Sequence, residues 1–120
     1  LLAEKIKGSS DFFKATIDTV DELIEAGDLE MAERVADGLL DRFPMNSLAQ
    51  VKKAEIARIR GDIDAALSFA EGAARESNPR YYRDKLRGLE LMAELLREKG
   101  DREAAEKKEA EAEEIAGQIS

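Results

Sequence analysis

The side chains able to do chemistry in this chain are carboxylates, guanidiniums and two phenols. Acidic pairs recur at i, i+4 spacing, as in Asp21/Glu25 and Glu90/Glu94. General acid/base or metal chemistry from such a pair needs a desolvated pocket that pushes the two pKa values apart. Nothing in the surrounding sequence predicts that pocket, so these pairs read as solvated helix faces. The chain holds no His and no Cys. That removes the commonest general base, the commonest metal ligand and the thiol nucleophile. No Gly-rich phosphate loop follows a strand-like run. Arg60-Gly61-Asp62 spells an adhesion tripeptide, but its counterparts are Ala26-Gly27-Asp28 and Lys99-Gly100-Asp101. A structural role accounts for all three. The sequence therefore predicts no enzyme, no cofactor and no metal.

Residues 75–87, RESNPRYYRDKLR, offer a different chemistry. Arg75, Arg80, Arg83, Lys85 and Arg87 outnumber Glu76 and Asp84, and Tyr81 and Tyr82 lie among them. Arg interleaved with Tyr suits a hot spot for a protein partner and, less well, nucleic acid. Arg80, Tyr81, Tyr82 and Arg83 form this candidate contact patch. The bland alternative is that one Tyr packs on a neighbouring hairpin while the bases are solvated.

The elements that must position these residues announce themselves by repetition. GDLEMA begins at Gly27, GDIDAA at Gly61 and GDREAA at Gly100. The first interval is 34 residues and the second 39, a period typical of stacked two-helix units. Apolar residues between the markers fall at helical spacing: Phe13, Ile17, Val20 and Ile24, then Val35, Leu39 and Phe43, and later Leu89, Met92, Leu95 and Leu96. No stretch alternates as a strand would. Each Gly suits the left-handed end of one helix and each Asp the cap of the next. Ala32, Ala66 and Ala105, five residues after each Gly, would let helix backbones approach closely. Pro44 and Pro79 mark exits, with Asn46, Ser47 and Asn78 as caps beyond them. Helices are predicted over 12–26, 29–43, 47–60, 63–76, 79–99 and 102–116. Residues 1–7 read as the end of a preceding helix closed by Gly8, with Ser9, Ser10 and Asp11 as caps.

The 34-residue period, the Gly-Asp turn, the Ala five residues after the Gly, and Pro44 five residues after Leu39 together resemble tetratricopeptide (TPR) repeats over residues 12–116. The resemblance implies an all-α fold, a right-handed superhelix of stacked antiparallel hairpins. Its units would be 12–46, 47–80 and 81–120, within one helical-repeat domain spanning residues 1–120. The match is loose elsewhere. Thr16, Gln50 and Leu89 stand where the family carries a bulky aromatic, and Val20, Ala54 and Ala93 match its small position only in part. Glu109 replaces a core residue, which marks the last helix as a solvating cap. Other two-helix repeats and a plain helical bundle fit the same helix count.

The family binds polypeptides in a concave groove lined by the first helix of each hairpin. By resemblance, that groove takes Ile17, Asp21 and Ile24 from the first hairpin and Leu48, Val51, Glu55 and Arg58 from the second. Arg87, Glu90, Leu91 and Glu94 come from the third, and some of these positions double as inter-repeat core. One subtype grips a C-terminal carboxylate, and its positions here read Ile17, Asp21, Lys52, Arg87 and Leu91. Ile17, Asp21 and Leu91 depart from that pattern, and Asp21 would repel a carboxylate. A tail clamp is therefore excluded.

Charge narrows the partner. The chain has a formal net charge of −8 over 120 residues. Residues 11–41 carry ten acids against Lys14 and Arg34, whereas residues 42–100 carry twelve bases against nine acids. An acidic first third favours a basic protein or peptide partner and disfavours nucleic acid, whose phosphates need a basic face. No apolar run approaches the roughly 18–20 residues of a membrane span. The resulting expectation is a cytoplasmic, non-catalytic scaffold that binds a peptide or helix of a partner protein. The alternative is a self-assembly module of a longer protein, with the acidic first third meeting the basic 75–87 segment.

Overall fold

Each Gly-Asp pair builds the same corner. Gly27, Gly61 and Gly100 have φ of +81°, +83° and +85°, a region where only Gly sits without strain. The Gly N–H groups bond three residues back, to the carbonyls of Ile24, Arg58 and Arg97 at 2.9–3.0 Å. The Asp N–H groups bond five residues back, to Leu23, Ala57 and Leu96 at 2.9 Å. This paired pattern, a Schellman motif, satisfies the orphan carbonyls of the ending helix. The Asp side chains then accept from the amides of Met31, Ala65 and Ala104 at 3.1–3.2 Å, opening the next helix. The repeated hexapeptide does one job three times.

The computed structural model describes residues 2–119, with side chains from residue 12 onward. Among these residues it is all-α: α1 (Leu2–Glu25), α2 (Leu29–Arg42), α3 (Ser47–Ile59), α4 (Ile63–Ala74), a 3-10 turn (Pro79–Tyr81), α5 (Tyr82–Glu98) and α6 (Arg102–Gln118). No described helix is long and apolar enough to cross a membrane.

Two differences from the expected boundaries have physical causes. α1 runs on through residues 8–11, where a break was expected. A helical Gly costs only about 1 kcal/mol against Ala, so Gly8 alone does not stop a helix. The capping roles expected of Ser9, Ser10 and Asp11 fall outside the described side chains. At the other site, the helix expected from residue 79 opens as a 3-10 turn over Pro79–Tyr81, and α5 itself starts at Tyr82, still four residues longer than α3. Pro79 bars the residue before it from the helical region, and Asn78 caps the 3-10 turn by accepting from the Arg80 amide at 3.1 Å. Lys85 closes the segment, its Nζ donating to the carbonyls of Ala74 and Glu76 at 2.8 and 2.7 Å.

The chain divides into two compact units after Pro44. In the first, α1 and α2 form one hairpin. Ile17, Val20, Ala32, Ala36 and Leu39 are buried. Phe13 meets Phe43 edge to face at 5.5 Å, and the Arg42 guanidinium lies over Phe12 and Phe43. Thr16 turns its hydroxyl back to the Phe12 carbonyl at 2.7 Å.

The second unit holds α3 to α6. Its central cluster joins Val51 and Ala54 of α3, Ala70 and Ala73 of α4, and Leu91 and Met92 of α5. A second cluster joins Ala57, Ala66 and Leu95, and a third seats Ala112 and Ile115 of α6 against Leu89. Ala32, Ala66 and Ala105 are all fully buried, as a close crossing requires. Gly88 lets α5 approach α4 closely: a Cβ there would lie 2.9 Å from the Ala70 carbonyl oxygen, the Ala73 Cβ and the Ala74 nitrogen.

Candidate functional site: an ion-pair face and a lined cleft

Of the groove positions inferred by resemblance, the structure brings Glu55, Arg58, Arg87 and Glu94 together on the shared face of α3 and α5. Arg58 anchors the group. Its guanidinium donates to Glu94 at 2.6 Å and to Glu98 at 2.6 Å, across 36 and 40 residues of sequence. Arg87 approaches Glu55 at 3.8 Å and Glu94 at 3.9 Å, while Lys52 lies 3.7 Å from Glu55. The hydrogen bond to Glu98, opposed in part by burial, raises the Arg58 pKa above its already high ordinary value. Lys52, Arg58 and Arg87 balance Glu55, Glu94 and Glu98, so the ladder is neutral. Exposed pairs of this kind each contribute less than about 1 kcal/mol. Their arrangement tells more than their energy, because it lays the first helices of two successive hairpins side by side.

Other inferred positions lie elsewhere. Val51 and Leu91 are 1% and 0% exposed and belong to the central cluster. They are not contact residues of an open groove. Both sit on the α3/α5 side that also faces α4, and packing claims them before a partner can. Leu48 is half-buried and Glu90 is exposed. In the first unit, Ile17 is buried, and Asp21 and Ile24 are half-buried.

The Arg/Tyr patch splits in two. Tyr82 packs against the cluster of Leu89, Ala112 and Ile115, with the Lys85 ammonium 5.8 Å from its ring. Tyr81 remains 43% exposed, with the Arg80 guanidinium over its ring at 5.9 Å. Arg80 and Arg83 are exposed.

Sequence reasoning missed a cleft of about 390 Å³ between α5 and α6, lined by Leu86, Glu90, Ala93, Glu94, Arg97, Glu109, Ala112, Glu113 and Ala116. On α5 the lining recurs at 86, 90, 93 and 97, and on α6 at 109, 112, 113 and 116, which is one stripe on each helix. Glu109, the residue out of place for a core, pairs with Arg97, whose Nε donates to it at 3.0 Å. That residue was the available signal: an acid in a core position marks a face left open to solvent.

The Asp84 carboxyl is held above its ordinary pKa. Burial is the main cause, the neighbouring charge of Glu76 adds to it, and Lys52 partly offsets it. A raised folded-state pKa means that the ionised form costs stability. The penalty grows as pH rises from the ordinary carboxylate range, about 4, and is complete above the raised value. Asp84→Asn is therefore expected to raise the melting temperature at neutral pH, with the gain shrinking towards zero as pH falls below about 4. Thermal melts across that range check it, and a pH-independent difference would assign the effect to packing. No group of three or more acids that could hold a metal ion occurs among the described residues.

Compared with known proteins, the chain matches no family model and no curated protein.

Proposed function

We infer that the chain is a non-catalytic scaffold that holds a peptide or helix of a partner protein against its α3/α5 face. The observation that carries this reading is the Arg58 ladder, in which α5 lies beside α3 as well as α4. A third helix added to a hairpin in this order is the packing expected of stacked two-helix repeats, each burying the face its neighbour cannot cover alone. The three matching Gly-Asp corners support the same reading, as does the lack of His and Cys. A TPR-like right-handed superhelix is part of the proposal, supported by the period and the corners.

Glu55, Arg58, Arg87 and Glu94 would orient a bound segment by exchanging internal ion pairs for pairs across the interface, an arrangement that favours selectivity over raw affinity. The test is site-specific photo-crosslinking in cell extract, with benzoylphenylalanine at Arg87 or at Lys107, an exposed α6 position. A defined protein captured from Arg87 and not from Lys107 is the expected result. Equal capture from both positions, or none from Arg87, counts against the scaffold reading.

A further inference from the structure

We propose that the α5/α6 cleft is a second docking site, built for a basic amphipathic helix of a partner protein. This deepens the scaffold reading and rests on it. Part of the lining is apolar: Leu86 and Ala93 from α5, Ala112 and Ala116 from α6. Alanines in a groove between two helices let a third helix approach to the roughly 8 Å of tight helix packing. The α5 lining extends from Leu86 to Arg97, about 16 Å at 1.5 Å per residue, or three helical turns.

The rim names the partner's charge. Four acids and one base line the cleft. Glu94 is already bound to Arg58, and Arg97 is already bound to Glu109. Glu90 and Glu113 have no ion pair among the described residues, so two carboxylates face the opening uncompensated. A helix with small or aliphatic residues down one face and Lys or Arg on its flanks would cover the alanines and pair both acids. Phosphate-bearing ligands would be repelled. A second copy of this chain could offer only its basic 75–87 segment to these acids, and there Arg80 lies in a 3-10 turn instead of on a three-turn helix with an apolar face.

The test uses fluorescence anisotropy with two labelled three-turn peptides. Both carry alanine and leucine on one face; one has lysine flanks and its twin has glutamate flanks. The lysine peptide is expected to bind the intact chain and weaken with added salt. It should lose at least about tenfold in affinity on Glu90→Lys/Glu113→Lys, the scale of 1.4 kcal/mol. The glutamate twin should bind that double variant in its place. Both positions are exposed, so the fold is retained, which circular dichroism checks. Equal binding of the lysine peptide to both proteins, or no binding to the intact chain, overturns the cleft. So does a dimer of the intact chain in sedimentation that the double variant converts to monomer, since a second copy would then cover it. If the cleft fails while capture from Arg87 persists, the scaffold reading stands without its second site.

Discussion

Gly88→Ala is expected to destabilise the four-helix unit by about 1–3 kcal/mol, the cost of forcing extra volume into a packed interior. The direction is what makes the result informative. In an open helix, Gly→Ala stabilises by up to about 1 kcal/mol, because Gly loses more backbone freedom on folding. At Gly88 the new methyl would meet the Ala70 carbonyl oxygen, the Ala73 Cβ and the Ala74 nitrogen, each at 2.9 Å. None of these is the end of a flexible side chain. Relief requires α5 to move off α4 as a body, loosening the Leu91 and Met92 contacts with Ala70 and Ala73. Gly38 in α2 is the control, since nothing lies within 4 Å of a Cβ placed there. Gly38→Ala should stabilise while Gly88→Ala destabilises, both read by denaturant titration. A gain in both variants would mean that α4 and α5 do not cross this closely.

That crossing shows why the sequence revealed some features and concealed others. The hexapeptide corners were legible because their chemistry is local. A Gly at positive φ and an Asp that caps three residues ahead need only their own neighbours. The helix boundaries follow from the same local rules and agree closely from α2 onward. Gly88 carried no such mark, because its role is set by α4, fourteen or more residues earlier in the chain. The 3-10 turn was missed for a related reason. Asn78-Pro79 reads equally as a helix opening, and the Lys85 bonds to Ala74 and Glu76 that close the segment join residues eleven and nine apart in the chain.

The candidate site was half legible. Helical spacing placed Glu55, Arg58, Arg87 and Glu94 on helices whose faces meet, but spacing alone could not say that they would pair with each other. Glu98 completes the ladder and was absent from the sequence-based set, as were Ala112, Glu113 and Ala116 of the cleft. An alanine stripe on a charged helix signals burial and close approach without saying against what. Tyr82 was offered as a contact and is instead half spent on packing α5 against α6.

Leu91→Asp should unfold the α3–α6 unit at room temperature, although its position was inferred to line an open groove. Leu91 is fully buried, among Val51, Ala54, Ala70 and Ala73. Truncating such a leucine to Ala already costs about 2–5 kcal/mol. A carboxylate there has no cationic partner within the cluster, and leaving an uncompensated charge buried costs at least about 3–5 kcal/mol more. Together these reach the roughly 5–15 kcal/mol that holds an ordinary domain folded. Glu90→Lys, one residue earlier on the exposed side of α5, should stay within about 0.5 kcal/mol of the parent, as surface changes do. The contrast is measured by far-ultraviolet circular dichroism and amide dispersion in proton–nitrogen spectra. A folded Leu91→Asp protein with a cooperative melt would return Leu91 to the surface and restore it as a groove contact. If it unfolds as expected, lost binding in that variant carries no information about recognition. The recognising residues must then be sought through side chains that can be changed without cost to the fold, such as Arg87 on the ladder and Glu90 and Glu113 at the cleft.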